Sequence, residues 1–327
     1  MKRFFIGLGA GFFVTPLLLL ALALGLPTEK VGPARWVGDC LKVKLAVARE
    51  EAKPQIIILS GSNALYGFSA RSMRERADLR AVNLGMHAGL GLKYTLYYGL
   101  SVAKKGDLFV LPFEYEFYEP ERYEGALSLQ ILANDPAFFG KLSPPEQFKL
   151  IASITASEWI AFVRNRTRPD PVEGAGCRPE SLTKYGDQTA NQRAGLDKKA
   201  HALLAARPAR VFSLSAEAKE NILWFKRELA KVGASFVLAY PNTLEPIFNV
   251  EENKAFLSDL DAFAAAEGIV IIGRPEDRAF SLDQAFDTNY HVDSVRQEEN
   301  TTILLKQLGG IDLRPFQGAI EEQKDQR

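Results

Sequence analysis

An α/β fold with a doubly wound parallel sheet is predicted by two observations: apolar runs of strand length recur along the chain, and amphipathic helical stretches separate several of them. The clearest run is Gln55–Ser60 (QIIILS), a continuous series of branched side chains preceded by Pro54 and closed by Gly61. Such an unbroken run suits a strand buried on both faces, as in a parallel sheet. Ala81–Leu84 (AVNL), Asp107–Pro112 (DLFVLP), Ala234–Tyr240 (ASFVLAY) and Gly268–Ile272 (GIVII) repeat that character, and Leu92–Lys104 and Ala216–Val232 read as intervening helices. Crossovers in such sheets are right-handed, and ligands bind beyond the carboxyl ends of the strands, so the turns after the strands are where function is sought.

The rhythm breaks between about Glu114 and Ser215, where an aromatic and acidic segment (EYEFYEPERYEG), a helical region near Pro145–Arg166 and a polar stretch through Gly186 follow one another. This interval, 114–215, is expected to be an insertion in a domain spanning 55–315. It either caps a site, docks a partner or is a peripheral excursion. Residues 316–327, ending EEQKDQR, read as a solvated tail.

The amino terminus bears on the compartment. Lys2 and Arg3 precede an uncharged stretch from Phe4 to Leu26, which as a helix reaches roughly 34 Å, enough for a bilayer core. A single-pass anchor over 1–27 is expected, with its amino end in the cytoplasm and a juxtamembrane segment over 28–54. The rest of the chain then lies outside the inner (cytoplasmic) membrane of a bacterium, in the periplasm or at the surface. A cleaved signal peptide ending near Ala21-Leu22-Ala23 is the competing reading.

Composition narrows the function classes. Of 327 residues, 47% are hydrophobic and 24% charged, which suits a folded chain with a sizeable core. Lys+Arg and Asp+Glu are equal at 40 each, so no global field favours a nucleic-acid partner. Cys40 and Cys177 lack the spacing of a zinc site; they form one disulfide in an exported domain or remain two thiols. No HExxH or closely spaced ligand set points to a metal, and no cofactor is expected.

The first strand leads into Ser60-Gly61-Ser62-Asn63-Ala64-Leu65-Tyr66-Gly67, a turn into a helix. A serine placed there has its hydroxyl above the sheet and the N–H groups of a helix start beside it, the setting in which an oxyanion is stabilised. Serine is a poor nucleophile until a base takes its proton, and an imidazole is oriented when a carboxylate accepts its other N–H. Phe286-Asp287-Thr288-Asn289-Tyr290-His291 supplies both groups. The chain has three histidines; His201 lies in a Lys-rich helical segment and His87 follows the second strand, leaving His291 in the best context.

With these segments the chain resembles the SGNH (GDSL-like) hydrolase superfamily, and in particular its membrane-anchored bacterial members related to acylation of envelope polymers and exopolysaccharides. Ser62 in SGSNALYGF matches the nucleophile block, Gly85 in AVNLGMHAG the second block, and Asp287/His291 in FDTNYH the last. The resemblance implies a flavodoxin-like sheet, Ser62 as nucleophile, His291 as base, Asp287 orienting it, and the Ser62 and Gly85 amides as the oxyanion hole. Asp287 stands four residues before His291, where three is the commoner spacing. The third block departs further: LFVLPFEYEFY holds no oxyanion-hole asparagine, and Glu114 stands at that position. Asn63, Asn83 and Glu114 are the candidates for substrate contact, Asn63 and Asn83 also being readable as turn residues.

The function implied is an extracytoplasmic serine esterase or O-acyl(acetyl)transferase whose substrate is a polysaccharide or another acyl ester. The alternative is a non-catalytic accessory module that binds glycan or docks on a multispanning membrane acyltransferase.

Overall fold

The computed structural model describes residues 34–165, 177–192, 198–245 and 247–319. The expected span Phe4–Leu26, and residues 320–327 of the expected tail, lie outside them. No helix among the described residues is long and apolar enough to cross a membrane.

Five parallel strands form the main sheet: β1 (Ile56–Ile58), β2 (Ala81–Asn83), β3 (Leu108–Pro112), β4 (Ser235–Ala239) and, after a short strand β5 (Thr243–Leu244), β6 (Ile271–Ile272). Their order is β2-β1-β3-β4-β6. Each of the five apolar runs supplies one of these strands. The strands are shorter than the runs, yet flanking residues still bond across the sheet: Leu59 N–H donates to Val110 O at 2.9 Å and Leu84 N–H to Ile58 O at 2.8 Å. Register follows from burial. Ile56, Ile57 and Ile58 stand opposite Ala81, Val82 and Asn83 on one side and Leu108, Phe109 and Val110 on the other, and all three are fully buried. A second, two-stranded sheet pairs β5 with β7 (Ala279–Phe280); runs of two residues are too short to show in a hydrophobic pattern.

The helices are α1 (Arg35–Glu50), α2 (Ser62–Gly67), α3 (Ala70–Ala77), α4 (Leu92–Leu100), α5 (Gly125–Asn134), α6 (Pro136–Lys141), α7 (Pro144–Ala152), α8 (Ala156–Asn165), α9 (Lys198–Ala205), α10 (Ala216–Val232), α11 (Lys254–Ala266) and α12 (Ser294–Gln307). Helix α10 has the bounds its periodicity predicts. Ser215 caps it by accepting from the Ala218 N–H, and Gly233, at φ +76°, ends it in the left-handed conformation glycine adopts without strain.

The described residues divide into two compact units, one within 34–38 and 122–165, the other within 39–121 and 177–319. This narrows the insertion expected over 114–215. Residues 114–121 and 177–215 belong to the sheet-bearing unit because their polar groups are spent there: Glu114 binds the turn after β1, and Asp187 caps α3, accepting from Ala70 N–H at 2.7 Å and Arg71 N–H at 2.8 Å. In the smaller unit, α5 and α6 are adjacent around Asp135, whose carboxylate accepts from Phe138 N–H at 3.0 Å.

Cys40 and Cys177 form a disulfide, with Cα atoms 6.3 Å apart and a sequence separation of 137. Of the two readings open in the sequence, the bridge is the one the fold adopts. Closing so long a loop restricts the unfolded chain strongly. Reduction under native conditions is expected to lower stability by roughly 2–5 kcal/mol, read as a shift of the urea midpoint with and without dithiothreitol; an unchanged midpoint contradicts this.

Candidate active site

The order β2-β1-β3 means that the chain reverses its direction of progress across the sheet at β1, so the switch point, where sheets of this kind bind their ligands, lies at the carboxyl ends of β1 and β3. The Ser60-Gly61-Ser62 turn follows β1, and Glu114 follows β3. Glu114 is buried and reaches across to the turn. Its Oε2 accepts from Ser60 Oγ at 2.6 Å and Gly61 N–H at 3.0 Å, and its Oε1 from Asn63 N–H at 2.7 Å. Burial raises its pKa above the ordinary carboxylate value, and these hydrogen bonds offset part of the rise. A Cβ on Gly61 would come within 2.5 Å of Glu114 Oε1 and 2.7 Å of the Ala88 nitrogen, so glycine is required by close approach.

Ser62 opens α2 and is half-buried. Tyr66, one turn further on, shares its helix face. The Tyr66 ring stacks on His291, with centroids 4.3 Å apart and planes at 30°. Burial, and secondly the Asp287 charge, push the Tyr66 hydroxyl up to about 12. His291 Nδ1 and Asp287 Oδ1 are 2.5 Å apart. An ionised carboxylate only accepts, so Nδ1 carries the proton and Nε2 is left as the basic nitrogen.

The segment around this pair is braced on every side. Phe286 N–H donates to His291 O at 2.9 Å, and Thr288 Oγ1 accepts from the amides of Tyr290 and His291, each at 3.2 Å. The Tyr290 hydroxyl donates to Glu116 Oε2 at 2.5 Å and accepts from Tyr115 N–H at 3.2 Å. Arg210 holds Glu116 in turn, at 2.5 Å. Sequence reasoning passed over Glu116, Tyr290 and Arg210; only their meeting in space connects them.

The other expected site residues are placed differently. Gly85 N–H donates to Asn83 Oδ1 at 2.9 Å, so while that bond holds it has no proton to offer an oxyanion. Its glycine identity has another cause: a Cβ there would lie 2.4 Å from Leu65 N and 2.6 Å from Ala64 Cβ. Gly85→Ala is expected to destabilise by about 1–3 kcal/mol through overpacking against the α2 backbone. A thermal melt within a degree of wild type would show that the backbone yields freely.

Asn83, Asn63 and Glu114 are corrected from substrate contacts to internal brackets, since all three are buried with their side-chain polar atoms bonded to protein. Asn83 Nδ2 donates to Ala64 O at 2.8 Å and Phe68 O at 3.0 Å. Asn63 Nδ2 donates to Pro112 O at 2.7 Å, while its Oδ1 accepts from both nitrogens of Asn242 at 2.9 Å. His87 Nδ1 accepts from Gly89 N–H at 3.0 Å, a helix-capping role, and His201 lies on α9.

No family model matches the chain, and no curated protein matches it. Among solved structures, the chain is similar to the crystal structure of protein YxiM from Bacillus subtilis. The two share 13% identity with a TM-score of 0.38, over 80% of this chain and 58% of that one. The chain thus spans rather more than half the length of that neighbour.

Proposed function

We propose that this protein is a serine esterase or O-acyltransferase of the SGNH-like type, in which Ser62 attacks an ester carbonyl, His291 Nε2 takes its proton and Asp287 holds His291. The observation that carries this reading is the Asp287–His291 pair with its ring seated on Tyr66, one helical turn from Ser62. In the first half-reaction the Ser62 Oγ–carbonyl bond forms, and the proton passes through His291 to the departing alcohol as the acyl–oxygen bond breaks. Water or a hydroxyl of an envelope polymer then accepts the acyl group by the reverse sequence.

Glu114 takes the Gly61 and Asn63 amides, and Gly85 donates to Asn83, so the oxyanion falls to the Ser62 N–H. Loss of one donor lowers kcat by about 100- to 1000-fold, which suits a slow or partner-assisted enzyme. An uncharged Phe4–Leu26 segment supports an anchored protein whose domain faces an envelope polysaccharide or an acyl donor delivered through the inner membrane.

Occupation of the α2 amides by Glu114 favours one second reading, an accessory module that binds glycan or a multispanning acyltransferase. Labelling of the detergent-solubilised full chain with a fluorophosphonate distinguishes the two. Labelling that depends on Ser62 supports the enzyme; a folded wild type that resists the probe supports the module.

A further inference from the structure

We infer that Asn191 is a positioning residue that clamps the Ser62 helix to the His291 segment and so sets the approach of base to nucleophile. This rests on the serine acyl-transfer reading for its consequence, though not for its geometry. The Asn191 side chain is fully buried. Its Nδ2 donates to Tyr66 O at 3.3 Å and to Val292 O at 3.2 Å, and the Asn191 backbone carbonyl accepts from Ser294 N–H at 2.9 Å. The side-chain amide thus joins the end of α2 to the residue next to His291, and the backbone carbonyl of the same residue holds the start of α12.

The chemistry needs this residue type. Helix α2 ends at Gly67, so the Tyr66 carbonyl is among those a helix cannot satisfy internally. A primary amide carries two N–H donors on one atom and can serve two carbonyls at once. Asn191 Oδ1, meanwhile, is buried without a partner. An unpaired buried acceptor is costly and calls for a reason to be kept; the double clamp supplies one.

The fold also fixes where Asn191 stands. The segment 177–192 is tied to α1 by the disulfide at Cys177, and Asp187 caps α3. Gly186, at φ +82°, packs its backbone so closely on β2 that a Cβ would lie 2.4 Å from Asn83 O. Lys44, one turn beyond Cys40 on α1, donates to the same Asn83 carbonyl at 3.0 Å. The strap is therefore anchored on the sheet before it reaches the clamp.

The Asp287–His291 bond lies within one short segment and does not require Asn191, whereas the Tyr66–His291 stack does. The two can be read separately in the full chain labelled at its three histidines. In Asn191→Ala the His291 Nδ1–H signal is expected to persist, while the His291 ring protons lose the shift imposed by Tyr66 and move to their positions in Tyr66→Leu. Fluorophosphonate labelling of Ser62 is expected to fall about 100-fold, the size of effect that a misplacement of roughly 1 Å produces. Asn191→Ser, which keeps a donor, is expected to recover part of both, and it serves as the test variant should the alanine protein not fold. Ring-proton positions unchanged from wild type, or a labelling rate within twofold of it, would overturn the inference. Absence of labelling in the wild type would sink the serine reading, while the ring shifts would still decide the clamp.

Discussion

Ser62→Ala and His291→Ala are each expected to lower acyl turnover by roughly 10⁴- to 10⁶-fold, with Asp287→Asn costing about 10⁴-fold. The three losses are not additive, because a nucleophile without its base and a base without its nucleophile fail at the same step. Asp287→Asn is the more informative variant. An amide in place of the carboxylate at 2.5 Å can donate to Nδ1 and so favour the wrong tautomer, placing the proton on Nε2 where the base should be. Hydrolysis of p-nitrophenyl acetate by folded variants in detergent measures all three. A Ser62→Ala protein that retains most of the wild-type rate would place the chemistry elsewhere.

The second large effect is structural and concerns Glu114. Glu114→Ala is expected to cost about 3–5 kcal/mol, because it strands the Gly61 and Asn63 amides and the Ser60 hydroxyl in a buried turn, each worth about 1–3 kcal/mol unpaired. That is a large part of the 5–15 kcal/mol typical of a domain. Glu114→Gln keeps the shape but turns an NH₂ toward donors, so it is expected to fall between alanine and wild type. The pH dependence has a definite sign. Burial raises the folded pKa of Glu114 above its unfolded value. The folded chain therefore holds this proton more tightly, and the contribution to stability is fully present below the unfolded value of about 4.3 and lost as pH rises through the folded value. Urea unfolding of wild type against Glu114→Gln across that window should show the slope in wild type alone. Equal slopes would mean that Glu114 ionises as freely in the fold as in the unfolded chain.

The sheet was legible because its central strands β1 and β3 are buried throughout and so must be apolar, and each of the five runs from Gln55 to Ile272 supplies one strand of it. Helix α10 was legible to its last residue because Ser215 and Gly233 mark its ends. Legibility failed where one side chain answers to a distant partner. Asn63, Asn83 and Glu114 stand beside the serine turn and look like ligand contacts, yet their polar atoms are consumed by Asn242, by the Ala64 and Phe68 carbonyls and by the turn itself. Gly85 shows the same failure in a backbone group: its position in the chain suggests a free N–H, and the Asn83 side chain two residues away takes it.

By itself, the sequence determined the α/β class, the five strands, the serine turn and the Asp287/His291 segment, because hydrophobic period, turn residues and a four-residue spacing are local properties. Tertiary structure alone decided the strand order, the pairing of Cys40 with Cys177, the seating of His291 on Tyr66 and the clamp by Asn191. Each of these joins groups far apart in the chain, and a hydrogen bond or ring contact depends on distances of a few ångströms that only the packed fold sets.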